Sequence, residues 1–267
     1  MNEQSSYGTE RICLDLFSGL GGRRDVDGGF SGAFQKADGW DIVTVDFNEE
    51  FEPDICANIL DLTPEDLPDA DVVLASPPCP DFSVACITDK WDHDPSRTPA
   101  HLPETASIAE SVKIVFHTLW LVHELQPDWW FMENPQGMLR MFIGAPSGQV
   151  HYCQYGEDFK KPTDLWGRHP PMEYRRCPGR KRCHHTSNPR EVNEFRDESR
   201  TRAVDSSNSA ERAKIPAELS AAILNAVESA IKSPPAEQTT LVQTDGGCNS
   251  RYVGTGNEQS EGGDRGV

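Results

Sequence analysis

Four short apolar runs constrain the fold of this chain more than any other feature of its sequence. They cover residues 11–17, 41–45, 71–75 and 129–132. Each has the length and apolar content of a strand buried inside a sheet. Sheets whose strands are buried on both faces are mostly parallel and carry helices on both sides. The chain is therefore predicted to adopt an α/β fold with a doubly wound, mostly parallel sheet.

A cysteine between prolines follows the third run, in the stretch Ala75-Ser76-Pro77-Pro78-Cys79-Pro80. Proline fixes its own φ and restricts the residue before it, so Cys79 is held on a stiff turn. Ligands of open α/β sheets bind at the carboxyl ends of strands, where this turn is predicted to lie. By itself the stretch fits a reactive thiol and a small buried hydrophobe equally well.

Glycines and an acidic residue follow the first two runs. The loop Ser18-Gly19-Leu20-Gly21-Gly22 lets a ligand approach the main chain, but its spacing differs from the dinucleotide fingerprint and disfavours a hydride-transfer cofactor. Asp46 closes the second run, a position suited to binding ribose hydroxyls. The alternatives are an ordinary turn and an acidic strand terminus without a ligand.

Glu133 and Asn134 follow the fourth run. A protonated Glu among large apolar residues can donate its proton to the edge of a base. The alternative is a strand-end Glu that caps the next turn.

Helical periodicity appears in two places. Residues 105–125 carry a predicted apolar stripe of Val112, Val115, Phe116, Leu119 and Val122, and residues 217–232 carry Leu219, Ile223, Val227 and Ile231. A short helix is expected over 30–37. Residues 58–62 fit either a third strand or the exit from one.

Taken in chain order, residues 15–22, 77–83 and 131–135 resemble the DNA (cytosine-5) methyltransferase family. Residues 151–156, 161–166 and 211–216 resemble its compact phage and archaeal branch. The resemblance covers about residues 11–140 and implies the S-adenosylmethionine-dependent methyltransferase fold. In that family the first loop holds S-adenosylmethionine, the cysteine attacks the target base, and the glutamate contacts a ring nitrogen. Cys79 would then be the nucleophile and Glu133 the acid.

The resemblance also implies two sets of binding residues. The cofactor would contact Phe17, Ser18, Gly19, Leu20, Gly22, Asp46, Asn58, Ile59 and Pro78, although Asn58 departs from the aspartate usual at its position. The base and the DNA would contact Ser83, Asn134, Gln154, Lys161, Arg180, Lys181 and Arg182. The family's Gln-x-Arg-x-Arg segment, whose arginine helps to hold the flipped base, is missing. Its replacement stays open among Gln154, Lys160 and Lys161.

The net charge of −18 argues against a nucleic-acid partner, because phosphates repel acidic surfaces. High salt screens that repulsion, and an acidic, lysine-poor composition is typical of proteins from a high-salt cytoplasm, or of an ordinary acidic soluble protein. The charge is also uneven: residues 168–202 hold ten Lys or Arg against five Asp or Glu. This basic stretch fits a small target-recognition region, or a solvated loop.

The cysteines indicate a reducing compartment. Eight of them are scattered without the spacing of a disulfide scaffold, and no apolar run approaches a membrane span, so we predict a cytoplasmic protein. Cys177, Cys183 and His184 are a weak zinc candidate because their spacing is unusual. We predict no metal there and hydrogen-bonding roles for the histidines.

The predicted organisation is a disordered segment 1–10, a catalytic domain 11–167, a recognition region 168–210, a helix within 211–232 that packs back on the catalytic domain, and a disordered tail 233–267. The predicted function is transfer of a methyl group from S-adenosylmethionine to carbon 5 of cytosine in double-stranded DNA, by a monomer. The same chemistry on RNA, and a degenerate fold that only binds nucleic acid, are the alternatives. A cognate restriction endonuclease stays open as a partner.

Overall fold

The structure is a computed structural model that describes residues 10–26, 28–83, 90–157, 159–179, 182–183 and 213–233. These residues belong to one compact unit that ends at Ser233. The expectations for residues 1–9, for most of 180–210 and for 234–267 lie outside the described residues. No helix in the described ranges is long and apolar enough to span a bilayer.

Seven strands form one sheet, in the order β3-β2-β1-β4-β7-β9-β8, and β5 and β6 form a separate hairpin. The first five strands of that order run parallel, and β9 runs antiparallel to both β7 and β8. The strands are β1 Arg11–Leu16, β2 Trp40–Asp46, β3 Ile55–Cys56, β4 Val72–Ala75, β5 Trp91–His93, β6 His101–Pro103, β7 Trp129–Pro135, β8 Gly148–His151 and β9 Pro162–Trp166.

The strand order reverses between β1 and β4, because the chain first builds β2 and β3 on one side of β1 and then crosses to the other. Leu16 pairs with both Val45 and Ala75, and Ala75 pairs with Met132. The carboxyl ends of β1, β2, β4 and β7 are thus aligned at one edge. This edge, at a reversal of strand order, is where open α/β sheets bind ligands.

Side-chain alternation along β1 divides the core between two faces of the sheet. Cys13 packs with Phe34 and Phe131 on one face, where the C-terminal helix Ala217–Lys232 covers them. Leu14 and Leu16 pack on the other face against the helix Ala106–Leu125. The helices are α1 Ala106–Leu125, α2 Arg140–Ile143 and α3 Ala217–Lys232. Short 3₁₀ turns cover Leu20–Gly22, Phe34–Lys36, Glu49–Phe51, Ile59–Asp61, Pro64–Asp66 and Tyr152–Gln154.

The helix α1 begins at its N-cap Thr105, whose side chain accepts a hydrogen bond from the Ile108 backbone N–H, and it ends before Pro127. Its buried face differs from the predicted stripe. Phe116 is 50% exposed, so its placement in the core was wrong. The face toward the core follows Ile108, Ser111, Val115, Thr118, Leu121 and Val122. The small polar residues Ser111 and Thr118 complete that face, and apolar periodicity in the sequence does not identify them.

Two further expectations change in detail. The helix predicted over 30–37 is only the 3₁₀ turn Phe34–Lys36, and residues 58–62 form the exit from β3. The predicted C-terminal helix is α3, in which Leu219, Ile223 and Val227 are fully buried against the sheet.

Candidate active site

The Pro-Cys turn follows β4 and is attached to β7. The carbonyl oxygen of Cys79 accepts hydrogen bonds from the backbone N–H groups of Phe82 and Ser83, at 3.1 and 3.2 Å. The Asn134 side-chain amide donates to the Pro77 carbonyl at 3.0 Å. The Cys79 side chain is half-buried. The turn therefore presents the Cys79 thiol at the sheet edge. Hydrogen bonds within the turn and one from Asn134 on β7 hold it in place.

Asp81 anchors the far side of the same turn. Its carboxylate accepts hydrogen bonds from Lys90 Nζ at 2.6 Å and from Ser111 Oγ at 2.5 Å, and its carbonyl accepts one from Trp91 Nε1 at 2.7 Å. Burial raises the pKa of Asp81, but the bonds from Lys90 and Ser111 outweigh it and hold that pKa below its usual value. The Pro-Cys turn is thus bound to α1 and to the start of the hairpin.

Glu133 lies on β7 and is 4% exposed. Its Oε1 accepts a hydrogen bond from Tyr152 Oη at 2.9 Å and lies 3.7 Å from Lys161 Nζ. Oε2 makes no hydrogen bond with any residue that the structure describes. Oε1 is therefore the oxygen that the described residues hold.

Tyr152 is a site residue that the sequence analysis missed. Burial raises the pKa of Tyr152 well above its usual value, and the neighbouring Glu133 and Cys79 raise it further. Lys161 Nζ lies 4.5 Å from the centre of its ring. A buried tyrosine hydroxyl needs a hydrogen-bond partner. This need is the only signal for Tyr152 in the sequence, and it does not identify Glu133 as the partner.

The glycine loop follows β1 in a strained conformation. Phe17 has φ of 64°, which is unusual for a bulky residue, and Gly19 has φ of 54°. The Gly19 N–H donates to Asp46 Oδ2 at 2.9 Å, and the Asn48 N–H donates to Asp46 Oδ1 at 3.0 Å. A Cβ on Gly22 would lie 2.4 Å from the Ser18 Cβ, so the loop has no room for a side chain there. Asp46 therefore orients the loop at the end of β2.

Two buried polar atoms at the end of β1 have no hydrogen-bond partner among the described residues, Asp15 Oδ1 and Ser18 Oγ. The other carboxyl oxygen of Asp15 accepts a 2.5 Å bond from Ser31 Oγ. Burial raises the pKa of Asp15 to about 7, although the bonds from Ser31 lower it. Unpaired acceptors beside a glycine loop fit a ligand that carries donors, such as the ammonium and ribose hydroxyls of S-adenosylmethionine.

The roles of the remaining predicted cofactor residues stay predictions. Asn58 caps the turn after β3, where its Oδ1 accepts a bond from the Leu60 N–H at 3.1 Å. Ile59 is buried in the core beneath α1. Leu20 is half-buried, and Pro78 is exposed at the tip of the Pro-Cys turn.

The predicted base and DNA contacts divide into three groups. Asn134, Ser83 and Lys161 lie at the Cys79–Glu133 edge, where Ser83 bridges to Gly137. The Gln154 amide instead donates to sulphur, at 3.2 Å from Cys183 Sγ and 3.7 Å from Cys153 Sγ. Arg182 is exposed. Arg180 and Lys181, with the metal candidate His184, lie outside the described residues.

Cys177 and Cys183, the two cysteines of the weak zinc candidate, lie together in the structure. Their sulphur atoms lie within 4.8 Å of each other and of Cys153, which the sequence analysis did not include.

The sheet order, the glycine loop after β1 and the acidic residue after β2 define an α/β protein with the fold of S-adenosylmethionine-dependent methyltransferases. Residues 12–142 match the family model of C-5 cytosine-specific DNA methylases, and this range includes all three segments that carry the resemblance. The matched segment, which covers 131 of the 267 residues, belongs to that family.

Among solved structures, the chain is similar to a prophage-encoded E. coli protein assigned as a DNA modification methyltransferase. The identity is 19% and the TM-score 0.36, over 59% of this chain and 46% of the other. The chain therefore spans less than half the length of that protein. A comparison with curated proteins found no match.

Proposed function

We propose that the protein transfers a methyl group from S-adenosylmethionine to carbon 5 of cytosine in double-stranded DNA, through a covalent bond between Cys79 and the base. One observation carries this proposal. The Pro77 carbonyl of the thiol's turn is bonded to Asn134, the residue next to Glu133. A nucleophile and a proton donor therefore share one aligned sheet edge with the glycine loop.

Cys79 and Glu133 divide the addition step between them. The Cys79 sulphur bonds to carbon 6 of cytosine while Glu133 donates a proton to ring nitrogen 3, which leaves carbon 5 nucleophilic. Bound S-adenosylmethionine supplies an electrophilic methyl group on a positively charged sulphur. After carbon 5 gains the methyl group, its proton leaves to a solvent base and the bond to Cys79 breaks. Glu133 then regains its proton from nitrogen 3.

Lys161 and Tyr152 hold Glu133 in position for that transfer. Both contact Oε1, which leaves Oε2 to face the base. Lys161 is 18% exposed and presents a cation at the pocket. We infer that Lys161 replaces the base-holding arginine of the family, because the Gln154 amide is bonded to cysteine sulphurs instead.

The chain's own residues offer a site for the cofactor. We propose that the Asp46 carboxylate accepts hydrogen bonds from the ribose hydroxyls and that the backbone of residues 17–22 and the Ser18 hydroxyl contact the rest of the cofactor. The bond from the Gly19 N–H to Asp46 and the unpaired Ser18 Oγ support this assignment. The target base must leave the duplex to reach Cys79, since a stacked base cannot enter a pocket at a sheet edge. A DNA substrate is consistent with the cytoplasmic location expected from the sequence. The expected monomer, a high-salt habitat and a restriction endonuclease partner stay predictions.

Trapping on fluorinated DNA tests the mechanism directly. Duplex DNA of high sequence complexity, made with 5-fluorodeoxycytidine, is incubated with the protein and S-adenosylmethionine at 0.1 M and at 2 M salt. Fluorine replaces the carbon 5 proton whose removal allows the bond to Cys79 to break. We therefore expect a covalent complex that survives denaturing electrophoresis. Cys79→Ser should abolish it. Cys56→Ser is the matched control, because Cys56 is exposed on β3 and should leave the adduct unchanged.

Tritiated S-adenosylmethionine with unmodified DNA and with RNA separates the alternatives. Transfer to RNA alone would replace the DNA proposal with the RNA one. Nucleic-acid binding without transfer or adduct on either substrate would favour the degenerate fold and overturn catalysis.

A further inference from the structure

We propose that Cys153, Cys177 and Cys183 bind a zinc ion that fastens the chain after β9 to the end of β8. The family assignment does not require this site, and the cysteine spacing alone argued against it. The site forms where two segments of the chain meet, and their nearest cysteines, Cys153 and Cys177, are 24 residues apart in sequence.

The three sulphur atoms converge from two parts of the chain. Cys153 lies in the 3₁₀ turn after β8, and Cys177 and Cys183 lie beyond β9. All three Sγ atoms are within 4.8 Å of one another. Thiolates bound to tetrahedral zinc at about 2.3 Å lie roughly 3.8 Å apart, so a contraction of about 1 Å or less would complete the site.

Hydrogen-bond donors already point at these sulphurs. The Gly179 N–H donates to Cys177 Sγ at 3.4 Å, within a Cys-Pro-Gly turn. The Gln154 amide donates to Cys183 Sγ at 3.2 Å and to Cys153 Sγ at 3.7 Å. Such outer-shell donors offset the negative charge of metal-bound thiolates and orient them. Burial raises the pKa of Cys153 to about 12, so its thiolate needs a bound cation. Three converging sulphurs with donors behind them form a ligand set suited to a soft metal.

The surrounding contacts shield and position the cluster. Cys153 and Cys183 are 2% and 6% exposed. The Cys177 N–H donates to His151 Nδ1 at 2.8 Å, which ties its backbone to the last residue of β8. Three cysteines leave one position of a tetrahedral ion for a fourth donor. A disulfide between any two of them would leave the third thiol outside the bond, whereas an ion uses all three.

The position of the cluster gives the ion a structural role. Cys153 and Tyr152 share one 3₁₀ turn, and the Tyr152 hydroxyl donates to Glu133. The described part of the basic stretch packs on the same turn, where the Tyr155 hydroxyl donates to the Glu173 carbonyl at 3.0 Å. Zinc at this point would hold that stretch against the wall of the proposed base pocket.

Metal analysis of the full chain tests the site without any activity measurement. The protein is expressed with zinc, purified under reducing conditions, dialysed, and analysed by mass spectrometry of the metal and by thiol titration. We expect about one zinc per chain. Cys153→Ser, Cys177→Ser and Cys183→Ser should each reduce bound zinc at least fivefold, and Cys56→Ser should retain it.

Cobalt substitution keeps the test valid if a variant fails to fold. Co²⁺ added to the reduced, metal-free wild-type chain should give near-ultraviolet thiolate-to-cobalt absorption, which an equivalent of zinc removes. No bound zinc together with no such band would overturn the proposal. So would zinc that all three serine variants retain, or a Cys153–Cys183 or Cys177–Cys183 disulfide in the native protein. None of these outcomes bears on methyl transfer, so the two proposals can fail separately.

Discussion

At the scale of single residues, the site depends on which polar atoms are satisfied by the protein and which are left for a ligand. Glu133 has one oxygen bonded to Tyr152 and near Lys161, and Asp46 has both oxygens bonded to backbone N–H groups. Asp15 and Ser18 each keep a buried atom without a partner among the described residues. The bonds to Glu133 Oε1 and to Asp46 hold these side chains in place, and each carboxylate can still accept hydrogen bonds from a ligand. The atoms of Asp15 and Ser18 without a partner mark a further place where a ligand is expected.

Replacing Lys161 tests the proposed base-holding cation. Lys161→Met should lower kcat/KM for methyl transfer about 10- to 100-fold, because it removes a charge within 3.7 Å of Glu133. Lys160→Met is the matched control, since the neighbouring Lys160 is exposed, and it should change the rate by less than about twofold. Equal losses in the two variants would contradict the assignment and indicate general attraction of DNA.

The buried carboxyl of Asp15 predicts a pH-dependent stability. Burial raises its pKa from 3.8 to about 7, so the folded protein holds this proton where the unfolded chain releases it. The contribution of Asp15 to the free energy of unfolding is therefore complete below about pH 4 and falls as pH rises to about 7, by up to roughly 4 kcal/mol. Above about pH 7 the contribution of Asp15 should no longer change with pH.

Urea unfolding of wild type and Asp15→Asn between pH 4 and pH 8 measures this contribution. The difference between the two proteins cancels the titration of other carboxyls, including Asp81, whose lowered pKa acts in the opposite direction. We expect the variant to lose less stability than wild type between pH 4 and pH 7. Parallel curves would show that Asp15 stays ionised in the folded protein.

At the scale of elements, the C-terminal helix α3 supports the segment that follows the glycine loop. Ser220 Oγ on α3 donates to the Phe30 carbonyl at 2.7 Å and accepts from the Ala33 N–H at 2.9 Å. The Gly29 N–H also donates to the Ile215 carbonyl at 2.8 Å. The helix α3 therefore supports the segment between β1 and β2, where the structure has the 3₁₀ turn Phe34–Lys36 in place of the expected helix.

Ser220→Ala should destabilise the protein by about 1–3 kcal/mol, because it leaves the buried Phe30 carbonyl and the part-buried Ala33 N–H without their partner. Ser229→Ala is a control on the same helix, where the hydroxyl donates to the Asn225 carbonyl at an exposed position. That change should stay within about 0.5 kcal/mol. Chemical denaturation of both variants gives the comparison, and equal effects would show that the Ser220 contacts do not support the fold.

At the scale of the whole molecule, the net charge of −18 opposes both folding and DNA binding. Repulsion among like charges destabilises the compact state, and salt screens it over a Debye length of about 10 Å at 0.1 M and about 3 Å at 1 M. We expect the Tm to rise with KCl, most steeply below about 1 M. Each kcal/mol of charge repulsion that salt removes should raise the Tm by about 2–4 °C.

Thermal unfolding followed by circular dichroism between 0.05 and 2 M KCl checks this expectation. A Tm that stays constant or falls over this range would show that the acidic residues are already well dispersed. The compositional argument for a high-salt habitat would then lose its support.

Much of the fold was accessible from local patterns. The strands β1, β2, β4 and β7, the helices α1 and α3, and the fold class were predicted, because a buried strand or helix leaves a short-range apolar signature. Phe116 was misplaced because Ser111 and Thr118 share the buried face of α1 with apolar residues. The helix expected at 30–37 is a single turn, and Ser220 of α3 bonds the Phe30 carbonyl and the Ala33 N–H beside it.

The sequence by itself determined which reactive residues follow which strands: the glycine loop after β1, Asp46 after β2, Cys79 after β4 and Glu133 on β7. Only the tertiary structure decided which remote side chains meet them. Antiparallel pairing of β9 with β7 and β8 brings Tyr152 and Lys161 to Glu133, and the chain beyond β9 returns to bring Cys177 and Cys183 to Cys153. The physical reason is that strand signatures arise from neighbouring residues, whereas contacts across 19 to 190 positions depend on strand order and register.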